Sequence, residues 1–216
     1  MSELMDSEKS RLSGAALAVV SSLYFLVAAI ASHMVNTQYN FFQDYISDYA
    51  VGQGGWIFRS AFLASFVACI ALPFALWQIA PHSAILNVGL GLLASAGIAS
   101  LVDFQFATDI LPPGAPPVTL SGNIHLAAAL IGWIAFVVAA LIISYRLKRV
   151  EILEKWIPSI IALAWLSIVL LLVLFAVVAV KIPFGGLAEK LFVLDRNFWM
   201  LLVSGLIFWQ ARQRRR

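Results

Sequence analysis

The sequence predicts an all-α fold, a polytopic bundle of six transmembrane helices that forms a single integral membrane domain over residues 1–216. Hydrophobic residues make up 62% of the chain and charged residues only 12%, whereas an ordinary soluble domain carries about 25% charged residues. The apolar stretches are long and show no alternation, and lipid offers no partner to an open sheet edge. Helices rather than barrel strands are therefore expected.

Crossing a hydrocarbon core of about 30 Å takes about 20 helical residues. The first apolar stretch is longer than the apolar core of a signal peptide, so we interpret it as a retained span. The lone Cys69, in the second span, has no partner for an intrachain disulfide and is interpreted as a packing residue. The six predicted spans, each bounded by charge, proline or glycine, cover about residues 12–35, 57–80, 84–106, 121–145, 157–181 and 187–211.

Lysine and arginine are distributed unevenly between the two ends of the predicted bundle. Ten lie in the N-terminal tail, the loop between spans four and five and the C-terminus, and four lie on the other side, at Arg59, Lys181, Lys190 and Arg196. The positive-inside rule then places both termini in the cytoplasm. The basic run at 212–216 directly follows a span, so we interpret it as an anchor at anionic headgroups and expect no nucleic-acid partner.

The first outer loop, at about residues 36–55, contains a helical pattern of its own. Apolar residues recur on one face of this pattern and polar residues on another. The apolar set is Phe41, Phe42, Tyr45, Ile46 and Tyr49, and the polar set is Asp44, Ser47 and Asp48. The pattern predicts a short amphipathic helix at the membrane interface, ended by glycines before span two. Its carboxylates would then be held near the mouth of the bundle.

Two ionisable residues on either side of the second outer loop are predicted to face the inside of the bundle. Asp103 continues a stripe of small residues in span three, and His125 shares a face with small residues in span four. Such stripes favour close contact between helices. The proline-rich segment 112–117 predicts a stiff, extended connector between these spans. We therefore expect Asp103 and His125 to approach each other, with Asp109 and Asn123 nearby.

The third outer connection precedes a last span that has charges in its first turns. Glu189 and Arg196 are two turns apart and share a face, whereas Lys190 and Asp195 point elsewhere and are expected to be solvated. Arg59, near the start of span two, is a further basic group available to neutralise the acidic residues. A charge at that depth is costly unless it is paired.

Three short motifs fall at the outer ends of the predicted spans. They are Tyr45-Ile46-Ser47-Asp48-Tyr49-Ala50, the stretch 104–125 with Asp109, Gly122 and His125, and Gly186-Leu187-Ala188-Glu189-Lys190. These motifs resemble those of the domain of unknown function 998 family, a family of bacterial and archaeal six-span membrane proteins. Relatives often carry an arginine where this chain has Lys190. The resemblance implies a multi-pass protein of the prokaryotic cytoplasmic (inner) membrane, and it brings no established activity.

The candidate site residues are consistent with three hypotheses about function. In the first, a polar pocket on the outer face binds a lipid headgroup or a small polar ligand, with membrane lipids as partners. Because acidic groups gather at one end and no inverted repeat is evident, binding is favoured over transport. The ligand-binding candidates are Asp44, Asp48, Arg59, Asp103, Asp109, Asn123, His125, Glu189 and Arg196.

The second hypothesis is a metal-dependent hydrolase within the membrane or at its surface, with Ser47, Asp48, Asp103 and His125 as catalytic candidates. Zinc is its candidate cofactor, held by His33, Asp103 and His125, although no histidine pair at i and i+4 is present. In the third hypothesis, the same groups form a purely structural network of ion pairs and hydrogen bonds. The sequence leaves enzymatic activity and oligomeric state open.

Overall fold

A computed structural model describes residues 2–112 and 115–213. Two 3-10 helices, Ile46–Ala50 and Glu151–Trp156, precede the second and the fifth α-helix. Each of the six α-helices is long and apolar enough to cross a membrane, which confirms the all-α class and the six predicted spans. The chain is therefore a multi-pass membrane protein. In chain order the α-helices are α1 Ser2–Val35, α2 Gly55–Trp77, α3 Ala84–Gln105, α4 Leu120–Leu147, α5 Ile157–Ala179 and α6 Gly185–Gln213.

The observed span boundaries lie close to the predicted ones. α1 begins at Ser2, but its apolar span begins at Ser10, near the predicted residue 12. α2 ends at Trp77 and not near residue 80, because the N–H of Gln78 turns back to bond the carbonyl of Ala75 at 3.3 Å. The other predicted ends lie close to the observed ones.

The helices form a closed ring in chain order. Each α-helix packs against the next, and α6 returns to pack against α1. α6 also contacts α2 across the bundle. In the most apolar 18-residue window of each span, 56% of the α6 residues are buried but only 28% of the α5 residues. α6 is therefore the most enclosed helix, and α5 exposes most of its surface to lipid.

Small residues allow neighbouring helices of the ring to approach closely. An added Cβ at Gly97 would lie 2.9 Å from Cβ of Cys69 in α2, and one at Gly132 would lie 2.8 Å from Cβ of Ala99 in α3. Cys69 is buried and free of a disulfide, as expected for a packing residue. Because lipid tails are as apolar as the side chains, close packing of this kind is what holds membrane helices together.

The connections α1–α2, α3–α4 and α5–α6 share one end of the bundle, which we call the polar end. There the first turn of α6 touches the α1–α2 connection at Gly186, and Arg59 of α2 reaches the carbonyl of Phe104 at the end of α3. The opposite end carries the α2–α3 and α4–α5 connections, which form a cleft with Arg11 of α1 and Gln210 of α6.

The amphipathic helix predicted for the α1–α2 connection is replaced by turns and the short 3-10 helix Ile46–Ala50. Asn40 Oδ1 accepts a hydrogen bond from the N–H of Phe42 at 2.9 Å, and Asp44 Oδ2 accepts one from the N–H of Asn40 at 2.6 Å. Side-chain bonds to nearby backbone groups compete with helical bonds. Tyr45 is then extended, with φ −69° and ψ 153°, so the helix begins only at Ile46.

The first turn of α6 docks onto this connection through backbone hydrogen bonds. The N–H of Gly186 donates to the carbonyl of Gln43 at 3.2 Å, and the N–H of Leu187 donates to the carbonyl of Phe42 at 2.9 Å. The first N–H groups of a helix have no acceptor within the helix itself. The α1–α2 connection therefore provides acceptors that α6 lacks, at a depth where unsatisfied donors are costly.

Two side chains of α6 complete this contact, and we call the whole set of bonds between residues 186–190 and 42–46 the α6 clasp. Glu189 Oε2 accepts a hydrogen bond from the N–H of Ile46 at 2.6 Å. Lys190 Nζ donates to the carbonyl of Asp44 at 2.5 Å and lies over two aromatic rings of the connection, 5.2 and 5.3 Å from their centroids. The expectation that Lys190 is solvated is wrong, because its amine reaches a backbone carbonyl through an aromatic cleft.

Asp195 is likewise buried, with only 4% of its surface exposed, and the expectation that it is solvated is also wrong. Its carboxylate accepts a short hydrogen bond from Ser167 of α5. The reason is the enclosed position of α6, whose sides face α1, α2 and α5. Asp195 lies on a different face of α6 from Glu189, but that face also packs against other helices of the protein.

We expect Gly186→Ala to lower the free energy of unfolding by about 1–3 kcal/mol, the usual cost of overpacking. The added Cβ would lie 2.1 Å from the carbonyl oxygen of Asp44, so the α6 clasp must move apart. Gly205→Ala, in the same helix, is the matched control, since a Cβ there meets nothing within 4 Å. Denaturant unfolding followed by tryptophan fluorescence measures both variants. Equal stability of the two would contradict the clasp.

Candidate functional site

A cavity of about 420 Å³ lies inside the ring at the polar end, and every α-helix contributes to its wall. One part of the wall is polar and ionisable, and the rest is aromatic and aliphatic. The polar part consists of Tyr45, Ser47, Ser100, Asp103, Thr108, Asp109, His125, Glu189 and Arg196. The apolar part includes Phe25, Phe58, Phe62, Trp133, Leu174 and Phe175. Pockets that bind small molecules have volumes of about 300–1,000 Å³.

Asp103 and His125 meet at the wall of this cavity. Asp103 Oδ1 lies 3.5 Å from His125 Nδ1, and the two side chains belong to residues that are 8% and 5% exposed. The close approach expected from the small-residue stripes is therefore present. Two features of the chain bring it about: α3 ends at Gln105, and α4 starts at Leu120 on the same side of the bundle.

The hydrogen bonding of His125 defines its tautomer. Its Nδ1 lies 2.9 Å from the carbonyl oxygen of Phe106. A carbonyl only accepts, so Nδ1 must carry the proton and donate it. In the neutral ring Nε2 then has a free lone pair. Phe106 is available as an acceptor because it is extended, with φ −105° and ψ 115°, just after the last residue of α3.

Asp103 has an unsatisfied oxygen. Its Oδ1 is fully buried and has no hydrogen-bond partner within the described part of the chain. The proton on His125 Nδ1 is directed to Phe106, so at 3.5 Å the imidazole does not satisfy the carboxylate. Native proteins leave few buried polar groups without a partner, and those that occur call for an explanation.

Arg196 lies on the same wall and is 8% exposed. Its Nη2 donates to Ser65 Oγ at 2.5 Å and lies 3.4 Å from the sulfur of Cys69. The guanidinium carbon is 5.4 Å from the ring centroid of Phe136. Among residues 2–112 and 115–213 it forms no ion pair. Its nearest polar partners are thus neutral, although a buried charge is usually paired.

Glu189 is 4% exposed and lies both on the cavity wall and in the α6 clasp. One of its oxygens is held by the N–H of Ile46, which fixes the carboxylate at the junction of the first connection and α6. The sequence motifs 45–50 and 186–190, far apart in the chain, therefore meet at this glutamate.

Asp109 and Asn123 mainly shape the second connection. Asp109 accepts hydrogen bonds from the N–H of Val118 at 2.8 Å, and from the N–H and hydroxyl of Thr119 at 2.9 and 2.7 Å. These hydrogen bonds, mainly those from Thr119, hold the pKa of the Asp109 carboxyl below its usual range. Asn123 donates to the carbonyl of Thr119 at 2.7 Å and does not line the cavity.

Gly122 gives the second motif a steric explanation. A Cβ at this residue would lie 2.4 Å from Asp109 Oδ2, so only glycine admits the carboxylate against the first turn of α4. Part of the predicted proline-rich connector, Pro113 and Gly114, lies outside the described residues. The remaining prolines of the segment, Pro112, Pro116 and Pro117, line the cavity.

Besides Asn123, four predicted site residues lie away from the cavity wall. Arg59 donates to the carbonyl of Phe104 at 2.9 Å through Nη2 and at 3.3 Å through Nε, so it binds the end of α3 and not the acidic residues. His33 Nδ1 lies 2.8 Å from the hydroxyl oxygen of Tyr49, and this contact involves neither Asp103 nor His125. The four residues are His33, Asp44, Asp48 and Arg59.

The residues predicted to hold zinc are not assembled. In the described ranges no three His, Cys, Asp or Glu side chains come together in a group that suits a metal ion. His33 contacts Tyr49 and Phe41, whereas Asp103 and His125 pair at the cavity. A structural or catalytic zinc site needs at least three such ligands. The side chains present therefore do not fit zinc.

Asp48 lies in the 3-10 helix, 4% exposed, with Oδ2 accepting the N–H of Tyr45 at 2.9 Å. Burial raises the pKa of this carboxyl from 3.8 to about 7. The Asp44 carboxylate adds to this pKa rise, and the Tyr45 N–H and the Lys190 amine oppose it. Tyr49, one residue on, has its pKa raised to about 12, again mainly through burial.

Sequence reasoning missed Ser100, a polar residue of the wall, and Ser65, which is hydrogen-bonded to it. Ser65 of α2 and Ser100 of α3 are joined by a 3.0 Å hydrogen bond between hydroxyls, and Ser65 also receives the guanidinium of Arg196. The signal that points to them is their place among small residues on the buried faces of α2 and α3. In the sequence, small residues at such positions are equally consistent with close helix packing and with a polar cavity wall.

These features define a multi-pass membrane protein with a cavity of mixed polar and apolar lining at one end. Comparison with protein families matches residues 19–205 to the family described as "Protein of unknown function (DUF998)". The chain belongs to this family, in agreement with the resemblance of its motifs. Searches of curated proteins and of solved structures returned no match.

We expect stability to fall as the pH rises from about 4 to about 7, and Asp48→Asn to remove much of this dependence. The pKa of Asp48 is raised to about 7, so the folded state holds its proton over this range while the unfolded chain releases it. The contribution of Asp48 to the free energy of unfolding is therefore fully present below the pKa that this carboxyl has in the unfolded chain. It is lost as the pH rises toward the pKa of the folded state, by up to about 4 kcal/mol.

Unfolding in denaturant at a series of pH values measures this effect. Lys190, Glu189 and Asp44 also face Asp48, so the comparison with Asp48→Asn isolates its contribution. Asparagine keeps an oxygen for the N–H of Tyr45 and loses only the titration. A variant with the same pH profile as the wild type would contradict the assignment.

Proposed function

We propose that the protein binds a ligand with a small polar group, either a lipid headgroup or a small polar molecule, in the cavity at the polar end. The observation that carries this proposal is the Asp103 carboxylate, which lines the cavity wall and whose buried Oδ1 has no hydrogen-bond partner in the described chain. An unsatisfied buried acceptor costs about 1–3 kcal/mol. A ligand that donates a hydrogen bond there recovers this free energy.

The mixed character of the wall supports an amphiphilic ligand. Asp103, His125, Glu189 and Arg196 supply polar contacts, and Leu174 and other side chains supply an apolar surface. Binding sites commonly combine a mostly apolar lining with a few convergent polar groups. A volume of about 420 Å³ suits a headgroup or a molecule of similar size.

We further propose that the polar end faces the outside of a prokaryotic cytoplasmic membrane, with both termini in the cytoplasm. The excess of lysine and arginine at the opposite end supports this orientation. In it, the exposed rings of Phe41 and Phe42 and the 3-10 helix lie at the membrane interface, where aromatic side chains are favoured. The cavity would then receive its ligand from the outer leaflet or from the medium beyond it.

The alternative of a metal-dependent hydrolase has less support. Ser47, Asp103 and His125 share the cavity, and Nε2 of His125 is free to act as a base, but no three-ligand group accompanies them in the described residues. A purely structural network also has less support, because within the described residues Arg196 forms no ion pair and Asp103 Oδ1 has no hydrogen-bond partner.

The ligand-binding proposal is tested with eight-carbon amphiphiles: octylamine, octanol and octyl sulfate. The full-length protein is held in phosphatidylglycerol nanodiscs, and each probe is titrated while thermal unfolding and tryptophan fluorescence are followed. Trp133 lines the cavity and reports on its filling. We expect at least one probe to raise the unfolding temperature and to saturate.

Ala129→Leu and Ala128→Leu form a matched pair for this experiment. Ala129 lines the cavity and Ala128 does not, yet they are 7% and 8% exposed. We expect Ala129→Leu to fill the cavity and abolish the response to the probe, and Ala128→Leu to keep the wild-type dissociation constant. A response that survives equally in both variants would place the probe elsewhere and overturn the proposal.

Asp103→Asn separates ligand binding from a structural network. We expect the free energy of unfolding without ligand to change by no more than about 1 kcal/mol, since Oδ1 makes no hydrogen bond that the substitution can break. Glu189→Ala is the contrast, because it leaves the buried N–H of Ile46 unsatisfied and should cost about 1–3 kcal/mol. A loss of about 3–5 kcal/mol for Asp103→Asn would instead indicate a broken buried ion pair.

A further inference from the structure

Carboxyl groups outnumber basic groups on the cavity wall. The carboxyl groups are those of Asp103, Asp109 and Glu189, and the basic groups among the described residues of the wall are those of Arg196 and His125. Asp109 already accepts three hydrogen bonds from Val118 and Thr119, and Glu189 accepts one from Ile46. Asp103 is the carboxylate whose buried oxygen has no donor.

Neither basic group of the wall forms a hydrogen bond with Asp103 Oδ1. The Nη2 group of Arg196 binds Ser65 and lies beside Cys69, with the guanidinium over Phe136. His125 Nδ1 lies 3.5 Å from Oδ1 but directs its proton to the carbonyl of Phe106. Within the described residues the carboxylate of Asp103 therefore still lacks a donor for this oxygen, and a ligand can supply one.

Aromatic rings surround the same space. Phe25, Phe58, Phe62 and Trp133 line the cavity, and Phe62 packs edge-on against His125 with ring centroids 5.7 Å apart. The faces of aromatic rings carry negative partial charge and attract ammonium groups. A carboxylate flanked by such rings suits a cation, whereas an anion would meet repulsion from the carboxylates and from the ring faces.

We propose that the polar group bound in the cavity is an ammonium group carried on an apolar chain, with Asp103 as its principal acceptor. This inference rests on the proposed ligand-binding function of the same cavity and names its ligand class. An ammonium can come from the headgroup of an aminophospholipid or from a free alkylamine, and both present the same positively charged N–H donors.

Octylamine, octanol and octyl sulfate share one chain and differ in the polar group, so they test the inference directly. In phosphatidylglycerol nanodiscs, which contain no ammonium, we expect octylamine to bind the wild-type protein at least about tenfold more tightly than octanol, since a charge-assisted hydrogen bond adds to the apolar contact. Octyl sulfate should bind more weakly than octanol.

Asp103→Asn should remove this preference while leaving octanol binding unchanged. Asp195→Asn is the matched control, because Asp195 of α6 is also a buried carboxylate but bonds Ser167 and does not line the cavity. It should retain the preference for octylamine. Binding of octylamine that is equally tight in Asp103→Asn would overturn the assignment of Asp103 as acceptor.

The outcomes distinguish failure of this inference from failure of the proposed function. If octanol or octyl sulfate binds as tightly as octylamine, and Ala129→Leu abolishes that binding, the cavity binds ligands but the ammonium assignment is wrong. If Ala129→Leu changes the binding of none of the three probes, the ligand-binding function itself is wrong.

A second membrane composition identifies the source of the ammonium. With phosphatidylethanolamine in the nanodisc, competition should weaken apparent octylamine binding if the natural ligand is an aminophospholipid headgroup. Unchanged octylamine binding in that membrane would indicate a free alkylamine. Either result is consistent with ammonium recognition, and the phosphatidylglycerol comparison decides whether recognition occurs.

Discussion

The α6 clasp is the contact on which the rest of the polar end depends. A helix that begins within a membrane protein presents several N–H groups that have no acceptor of their own. Here the carbonyls of Phe42 and Gln43 accept hydrogen bonds from two of them, and the carboxylate of Glu189 accepts one from the N–H of Ile46. The clasp therefore fixes the first connection over the ring, and the same glutamate becomes part of the cavity wall.

Most polar groups of the connections at the polar end form hydrogen bonds, but the carboxylate of Asp103 is an exception. Asp109 accepts hydrogen bonds from Val118 and Thr119, and Arg59 donates to the carbonyl of Phe104. The buried oxygen of Asp103 has no hydrogen bond in the described chain. Proteins tend to keep such local conflicts where function requires them. The contrast between the hydrogen-bonded connections and the unpartnered oxygen of Asp103 is the physical basis of the proposed binding site.

The fold was largely predictable, because six apolar stretches of bilayer length allow few alternatives. Small-residue stripes also predicted that Asp103 and His125 approach each other. What the sequence does not reveal is the partner of each polar group. Lys190 and Asp195 were expected in solvent because spacing separates them from Glu189, but the enclosed position of α6 buries both. Arg59 binds a backbone carbonyl, which no side-chain pattern can indicate.

Ring closure also imposes an order on assembly. Contacts within the clasp join residues that are 143 and 146 positions apart, and α1 meets α6, which is synthesised after the other five helices. Such distant contacts form slowly, because a long segment must be ordered before they can be made. During synthesis the first connection therefore gains its contacts with α6 only after α1 to α5 have been made. A chain truncated before α6 can insert five helices in the membrane, yet it has neither a finished wall nor a clasp, which makes the cavity a late product of biogenesis.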